Sequence, residues 1–377
     1  MIIYVVKSGD TITSIGERYG VPVEELIAYN QFENPEQLVV GQTILIPQEG
    51  GEPRREIAVN GYMYPYINPE ILRQTLPYLT FGTLFTYGFT PDGTLIPIPD
   101  EIPIGIMKSG QVEPFLLLST LTTEGVFSNS LAHSMLNDEE AQDKLIENLL
   151  ETMTSKGYYG LDIDFEYVLP EDKEAYSRFV EKVTERLNQE GFKVMVALAP
   201  KTSADQPGLL YESHNYERLG AAADWVLLMT YEWGYTYGPP MAVAPINKVR
   251  EVLDYAVTEI PPEKIFMGIP NYGYDWTLPY IRGESRARSI GNVEAVEIAA
   301  KHGAVIEYDE MAQTPYFYYS DELGTEHVVW FEDARSIQAK MDLIEEYGFY
   351  GAGYWNIMKF FPQNWLVVEN NFTVKKI

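Results

Sequence analysis

Eight short apolar runs recur along the chain, at 57–64, 80–87, 113–119, 158–166, 193–199, 224–231, 264–270 and 349–356. Amphipathic helical spacing fills several of the gaps, as in Leu145, Ile146, Leu149, Leu150 and Met153, or Tyr176, Phe179, Val180, Val183 and Leu187. The same spacing recurs in Val249, Val252, Leu253 and Ala256, and in Ile337, Met341 and Ile344. A strand that is apolar throughout needs cover on both faces, and alternation with helices supplies it around a parallel sheet. Eight such strands predict an α/β fold, a closed (β/α)8 TIM barrel over 57–377 with its active site at the strands' C-terminal ends.

One gap breaks the period. Residues 276–333, between strands seven and eight, are too long for one helix and contain Val305–Asp309, Pro315–Ser320 and His327–Phe331. They predict a small inserted α+β subdomain, with Asp321-Glu-Leu-Gly as the turn between its last two strands.

Ahead of the barrel, residues 3–8 predict a strand ended by Gly9-Asp10. Thr11 caps a helix with Ile12, Ile15, Gly16 and Tyr19 on its apolar side, and Gly20 stops it. Pro22 and Val23 open a second helix carrying Leu26, Ile27 and Tyr29, and Thr43–Pro47 closes the module as a second strand. A βααβ module over 1–47 follows, joined by a linker at 48–56 with nothing apolar to bury.

Charge excludes several partners. Against 27 Lys and Arg stand 55 Asp and Glu, a net charge of −28. Such a surface repels phosphate backbones and anionic lipid, so neither nucleic acid nor membrane is an expected partner. No run approaches the roughly 20 apolar residues of a membrane span. The first residues lack the basic head and apolar core of a signal peptide, so none is expected. There is no cysteine, and the four histidines (His133, His214, His302, His327) lack paired spacing, so no metal or other cofactor is expected.

The fourth run reads Tyr158-Tyr-Gly-Leu-Asp162-Ile-Asp164-Phe-Glu166. Its acids fall at i, i+2 and i+4, so all three face one way, and Leu161, Ile163 and Phe165 face the helices. Three carboxylates then point into the barrel, where unpaired charge is expensive. Crowded acids hold protons more tightly, which keeps an acid protonated near neutral pH. Glu166, nearest the mouth, is the natural proton donor. Carboxylates neighbouring along one strand sit about 6.6 Å apart and approach from the same side, so they do not flank a scissile bond.

Gly160-Leu-Asp162-Ile-Asp164-Phe-Glu166 resembles the signature of glycoside hydrolase family 18. The resemblance implies Glu166 as acid/base and Asp164 as the residue that orients the substrate acetamide, with Asp162 beneath. It implies substrate-assisted catalysis, in which the acetamido oxygen replaces a second carboxylate. The family's commonest pattern has an Asp where this chain has Tyr159. Met229-Thr-Tyr231-Glu232 is similar to the family's sixth-strand motif, where the tyrosine hydroxyl helps hold the acetamide. Trp355 falls where the family places the floor of the sugar site. Met229, Asn271 and Tyr272 are further substrate-binding candidates at these strand ends.

Tyr4-Val-Val-Lys-Ser-Gly-Asp-Thr, Tyr29-Asn30 and Leu38–Pro47 resemble a LysM domain. That implies a groove for N-acetylglucosamine-containing glycans, with Gly9, Asp10, Thr11 and Ile12 on one side and Asn34, Pro35 and Leu38 on the other. The order of modules is similar to bacterial spore cortex-lytic enzymes and sporulation-specific glycosylases of family 18, which act as N-acetylglucosaminidases on peptidoglycan. The implied partner is an N-acetylglucosamine polysaccharide, peptidoglycan or chitin, and the implied location the spore or cell envelope. A chitinase and a non-catalytic glycan-binding protein are the competing readings, and retention of Glu166 argues against the latter.

Overall fold

The computed structural model describes residues 1–377 apart from 33, 49–53 and 123. Its centre is a closed parallel barrel of Glu56–Met63, Phe81–Phe89, Glu113–Ser119, Gly160–Asp164, Lys193–Leu198, Trp225–Leu228, Ile265–Pro270 and Gly351–Trp355. Each strand pairs with the next, and the eighth closes on the first from Gly351↔Ala58 to Tyr354↔Gly61. Leu161, Ile163 and Phe165 are fully buried in the apolar layer between barrel and helices. Side chains of this size contribute about 1.5–3 kcal/mol each when buried.

Two strands end two or three residues earlier than their apolar runs predict. The fourth stops at Asp164, leaving Phe165 and Glu166 beyond the ladder. The sixth stops at Leu228, because the Thr230 and Tyr231 N–H groups turn back to the carbonyls of Leu228 and Met229. Both early endings release side chains into the mouth.

Between the seventh and eighth strands lies a five-stranded antiparallel sheet, ordered Arg288–Ile290, Gly273–Thr277, Glu326–Trp330, Thr314–Ser320, Glu307–Asp309. It starts at Gly273, three residues before the expected 276, since Tyr274 already pairs with Trp330. Helix Asn292–His302 packs on it, and Asp321–Thr325 forms the turn between Thr314–Ser320 and Glu326–Trp330.

The N-terminal module has strands Ile2–Val5 and Thr43–Ile46 around helices Ile12–Tyr19 and Val23–Asn30. Thr11 caps the first helix through Ser14, and Gly20 ends it at φ +70°. Asn30 clips the second helix to the second strand, its side chain bonding the Leu26 and Leu45 carbonyls and the Leu45 N–H.

Of the expected linker 48–56, residues 49–53 lie outside the described residues, and Glu56 already belongs to the first barrel strand. Arg55 is fastened to the end of helix Ala334–Tyr347, donating to the carbonyls of Ile344 and Phe349. The module is docked rather than tethered. Ile306 N–H donates to the Val40 carbonyl at 2.9 Å, and Gln363 exchanges two hydrogen bonds with Thr43 at 2.7 and 2.8 Å. Gly41 makes that approach possible, since a Cβ there would lie 1.8 Å from the Ile306 carbonyl oxygen.

Candidate active site

The barrel brings the three acids of the fourth strand into its interior. Asp162 is fully buried and Asp164 nearly so, while Glu166 is partly exposed at the mouth. Tyr62, on the first strand, donates from its hydroxyl to Asp162 Oδ2 at 2.6 Å. Asp162 Oδ1 and Asp164 Oδ1 have no hydrogen-bond partner among the described residues.

Burial is the first cause of their proton affinity. It lifts Asp162 to about 7, against the pull of the Tyr62 hydroxyl. Asp164 is held well above the usual carboxylate range by burial, then by the charges of Glu166 and Asp162. Glu166 is pushed up to about 7 by burial and by the nearby charge of Glu232. Crowding along one strand, which the sequence suggests as the cause, comes second to desolvation and, for Glu166, arrives from another strand.

Glu232 was not singled out by spacing, yet it stands at the centre of the mouth. It follows Tyr231 at a positive φ of 68°, which turns its side chain away from the strand direction. Its carboxylate accepts hydrogen bonds from the hydroxyls of Tyr272 and Tyr274. Burial raises its proton affinity overall, with the two tyrosines opposing. Tyr231 sits in the field of all four acids, and burial raises its hydroxyl well above the ordinary value. Gly268 on the seventh strand leaves the room, as a Cβ there would come 2.7 Å from the Tyr231 ring.

Above the acids Trp355 lies among aromatic rings, 5.0 Å from Phe85, 5.9 Å from Tyr62 and 6.1 Å from Tyr64. Trp355, Glu232, Tyr64, Tyr66, Asn271 and Tyr272 all line a mouth cleft of about 340 Å³. Glu166 lies just off this lining, beside Glu232. Tyr62, Tyr64 and Tyr66 recur at every second residue, Tyr62 on the first strand and the other two just beyond its end at Met63. That period-two pattern was the signal for them.

Of three further sequence-derived candidates, only the last needs correction. Met229 packs partly buried with the barrel's interior rings, in one cluster with Trp355, and its N–H donates to the Leu198 carbonyl. Asn271 reaches the cleft; its amide nitrogen donates to the carbonyls of Asn356 and Lys359 and braces the loop after Trp355, while its Oδ1 has no partner among the described residues. Ile12 is 3% exposed within the LysM core, since its helix turns it inward, and it presents nothing to a ligand.

The other LysM candidates divide. The Asp10 carboxylate is taken by Tyr4, the Lys7 N–H and Arg18, and the Thr11 hydroxyl by its own helix. Gly9 is exposed at φ +87°. Asn34 and Leu38 line a larger cleft shared with the barrel, and Pro35, between them in the chain, is half-buried.

Tyr159 has a structural explanation. It packs at 5.6 Å from Phe81 and 5.8 Å from Phe115, in a ring layer with Trp225, Phe266 and Tyr350 that plugs the barrel floor. His214, for which spacing suggests no role, joins two strand ends: its Nδ1 accepts from the Ala199 N–H at 2.8 Å and its Nε2 donates to the Phe165 carbonyl at 3.0 Å. Burial depresses it to about 4, so the ring is neutral and holds the backbone next to Glu166.

Comparison with known proteins agrees with this geometry. Residues 127–359 match the family described as glycosyl hydrolases family 18, and residues 4–47 match the LysM domain. The chain is 38% identical to the cortical fragment-lytic enzyme of Bacillus subtilis (strain 168), over 100% of this chain and 99% of that one. It is 40% identical to the enzyme of the same name from Bacillus anthracis, over 99% of each. The crystal structure of the Bacillus megaterium QM B1551 spore cortex-lytic enzyme SleL superposes with a TM-score of 0.95 at 38% identity, covering 100% of this chain and 99% of that one. With its acids on the fourth strand of a closed barrel and a LysM domain docked against the insertion and the last helix, the chain belongs to glycosyl hydrolase family 18.

Proposed function

We propose that this protein cleaves the β-1,4 bonds that follow N-acetylglucosamine in peptidoglycan, that of the spore cortex, with retention at the anomeric carbon. The observation that carries the reading is Glu166, held up to about 7 at the open end of a strand whose deeper acids are buried. Such a group is protonated in a large share of molecules at neutral pH and can protonate a leaving oxygen.

Glu166 gives its proton to the glycosidic oxygen as the bond to the anomeric carbon breaks. The acetamido carbonyl oxygen of the same sugar bonds to that carbon from the opposite face, giving a cyclic oxazolinium. Asp164 orients the acetamide through its N–H, and the Tyr231 hydroxyl binds the acetamido oxygen. Water then attacks the anomeric carbon from the side of the departed group, passing its proton to the Glu166 carboxylate. The oxazolinium C–O bond opens and the acetamide returns unchanged. Asp162, bonded to Tyr62, supports Asp164 from below, and Trp355 is the apolar floor for the sugar ring.

Support for the cortex as substrate comes from the cortical fragment-lytic relatives, matched over their full length. The same likeness supports the spore envelope as the place where the protein works. Mass spectrometry of products from cortex peptidoglycan, with chitin hexamer in parallel, tests the reading. New N-acetylglucosamine reducing ends from cortex with little chitin cleavage are expected. Fast chitin cleavage with the cortex intact would make the protein a chitinase, and no cleavage of either would make it a glycan-binding protein.

A further inference from the structure

A cleft larger than the barrel mouth opens elsewhere on the molecule. It lies between the LysM domain and the inserted sheet and has a volume of about 1140 Å³, against about 340 Å³ at the mouth. Its lining is chemically biased. Eight of the side chains that line it are asparagine or glutamine, a type that forms less than a tenth of the sequence. A carboxamide donates and accepts without charge, which suits hydroxyls and acetamido groups.

Some of these amides hold the domains together, as Asn30 and Gln363 do. Others are free to bind. Gln31, Asn34 and Gln37 are exposed, with no side-chain hydrogen bond among the described residues. On the opposite wall Asn292 is 2% exposed; its Oδ1 accepts the Glu332 N–H at 2.9 Å, while its Nδ2 donor has no partner. A buried donor left without a partner is destabilising, so a ligand acceptor in reach would be favoured there. Phe360, half-buried, adds a flat apolar face.

The two clefts adjoin. Ser289 and Ile290 line the mouth cleft, and Asn292 and Val293 line the outer one. Met358 and Lys359 line the mouth cleft, and Phe360 and Phe361 the outer one. The divide is a single residue of the first segment, Gly291, against Lys359, whose ammonium pairs with Glu294 at 2.9 Å. A Cβ on Gly291 would come within 2.8 Å of the Lys359 side chain, so glycine keeps this divide low.

We infer that the outer cleft is a second stretch of one substrate track, holding an uncharged, N-acetylated stretch of glycan chain while another part of the same chain lies in the mouth. This rests on the glycan-hydrolase reading above. The docked LysM domain is then a wall of the track, and the enzyme binds long chains more tightly than the mouth alone can, because the second contact is intramolecular.

Hydrogen–deuterium exchange on the full-length Glu166→Gln protein tests this, with long peptidoglycan glycan chains and with tetrasaccharides from the same material. Long chains are expected to protect 31–38 and 292–301 together with the mouth segments 231–234 and 271–276, and tetrasaccharides to protect the mouth alone. Long chains that protect only the mouth, or the LysM loops 7–12 and 31–38 without 292–301, overturn the track and leave the catalytic reading standing. Protection nowhere overturns both. In the active enzyme, Val293→Trp narrows the outer cleft at an exposed position. It is expected to lower the ratio of kcat/KM on long chains to that on tetrasaccharides about 5-fold or more, and an unchanged ratio overturns the track.

Discussion

The charge of Glu232, at the end of the sixth strand, raises the proton affinity of Glu166 at the end of the fourth. Tyr272 and Tyr274 hold that carboxylate by its oxygens and draw it towards its ionised form, although burial draws it the other way. The acid of the reaction is therefore tuned by a residue just beyond a different strand and by two tyrosines at the start of the inserted sheet.

Glu232→Gln removes the charge and leaves the burial. Glu166 then gives up its proton at lower pH. Because the reaction needs Glu166 protonated, the alkaline limb of the kcat/KM profile is expected to move towards acid, with less change in the acid limb. A profile measured on soluble cortex fragments checks this, and an alkaline limb that stays in place shows that Glu232 does not tune the acid.

Glu166→Gln keeps the shape of the side chain and deletes the transferable proton. Turnover is expected to fall about 10²-fold or more, as for loss of a general acid. Retained binding of glycan, measured by calorimetry, separates lost chemistry from lost fold. Hydrolysis near the wild-type rate would rule out Glu166 as the donor.

Tyr159→Asp restores the family's commonest residue at that place. Here it removes the ring that meets Phe81 and Phe115 and puts a charge at the edge of an aromatic layer. A loss of about 2 kcal/mol is expected from the ring contacts, read from the urea midpoint, with no gain in turnover. A variant as stable as the parent and more active would mean that the shortened row of acids, not the floor packing, is what matters at this position.

The barrel and the acid row were legible because both are periodic. Apolar runs at strand length and acids at every second residue follow from the geometry of a strand, and no tertiary information is needed to see them. Glu232 was not legible in the same way, since its position depends on a left-handed backbone turn and on tyrosines some forty residues away. Ile12 was misread because a loop motif says which residues adjoin a groove but not which of them the helix turns inward. The docking of the LysM domain was hidden as well. It hangs on Gly41, Thr43 and Gln363, whose meeting is a matter of shape between distant segments and leaves no repeat in the chain.

Asp162→Asn separates stability from activity. In the fold Asp162 titrates at about 7, far above its ordinary value of 3.8. Below about pH 4 the group is protonated in both the folded and unfolded chain, and burying it carries no ionisation penalty. Between pH 4 and 7 the unfolded chain releases the proton and the folded chain keeps it, so stability falls as pH rises, by on the order of 4 kcal/mol once above the folded value. Asparagine cannot ionise and keeps an acceptor for the Tyr62 hydroxyl. The variant is therefore expected to gain little at pH 4 and to melt higher than the parent at pH 8, while losing turnover. Scanning calorimetry at the two pH values reads the difference directly, and because both proteins share every other carboxylate, their gap isolates this one group. Equal melting at pH 8 would mean that Asp162 is already ionised in the fold at neutral pH, and that burial does not hold its proton.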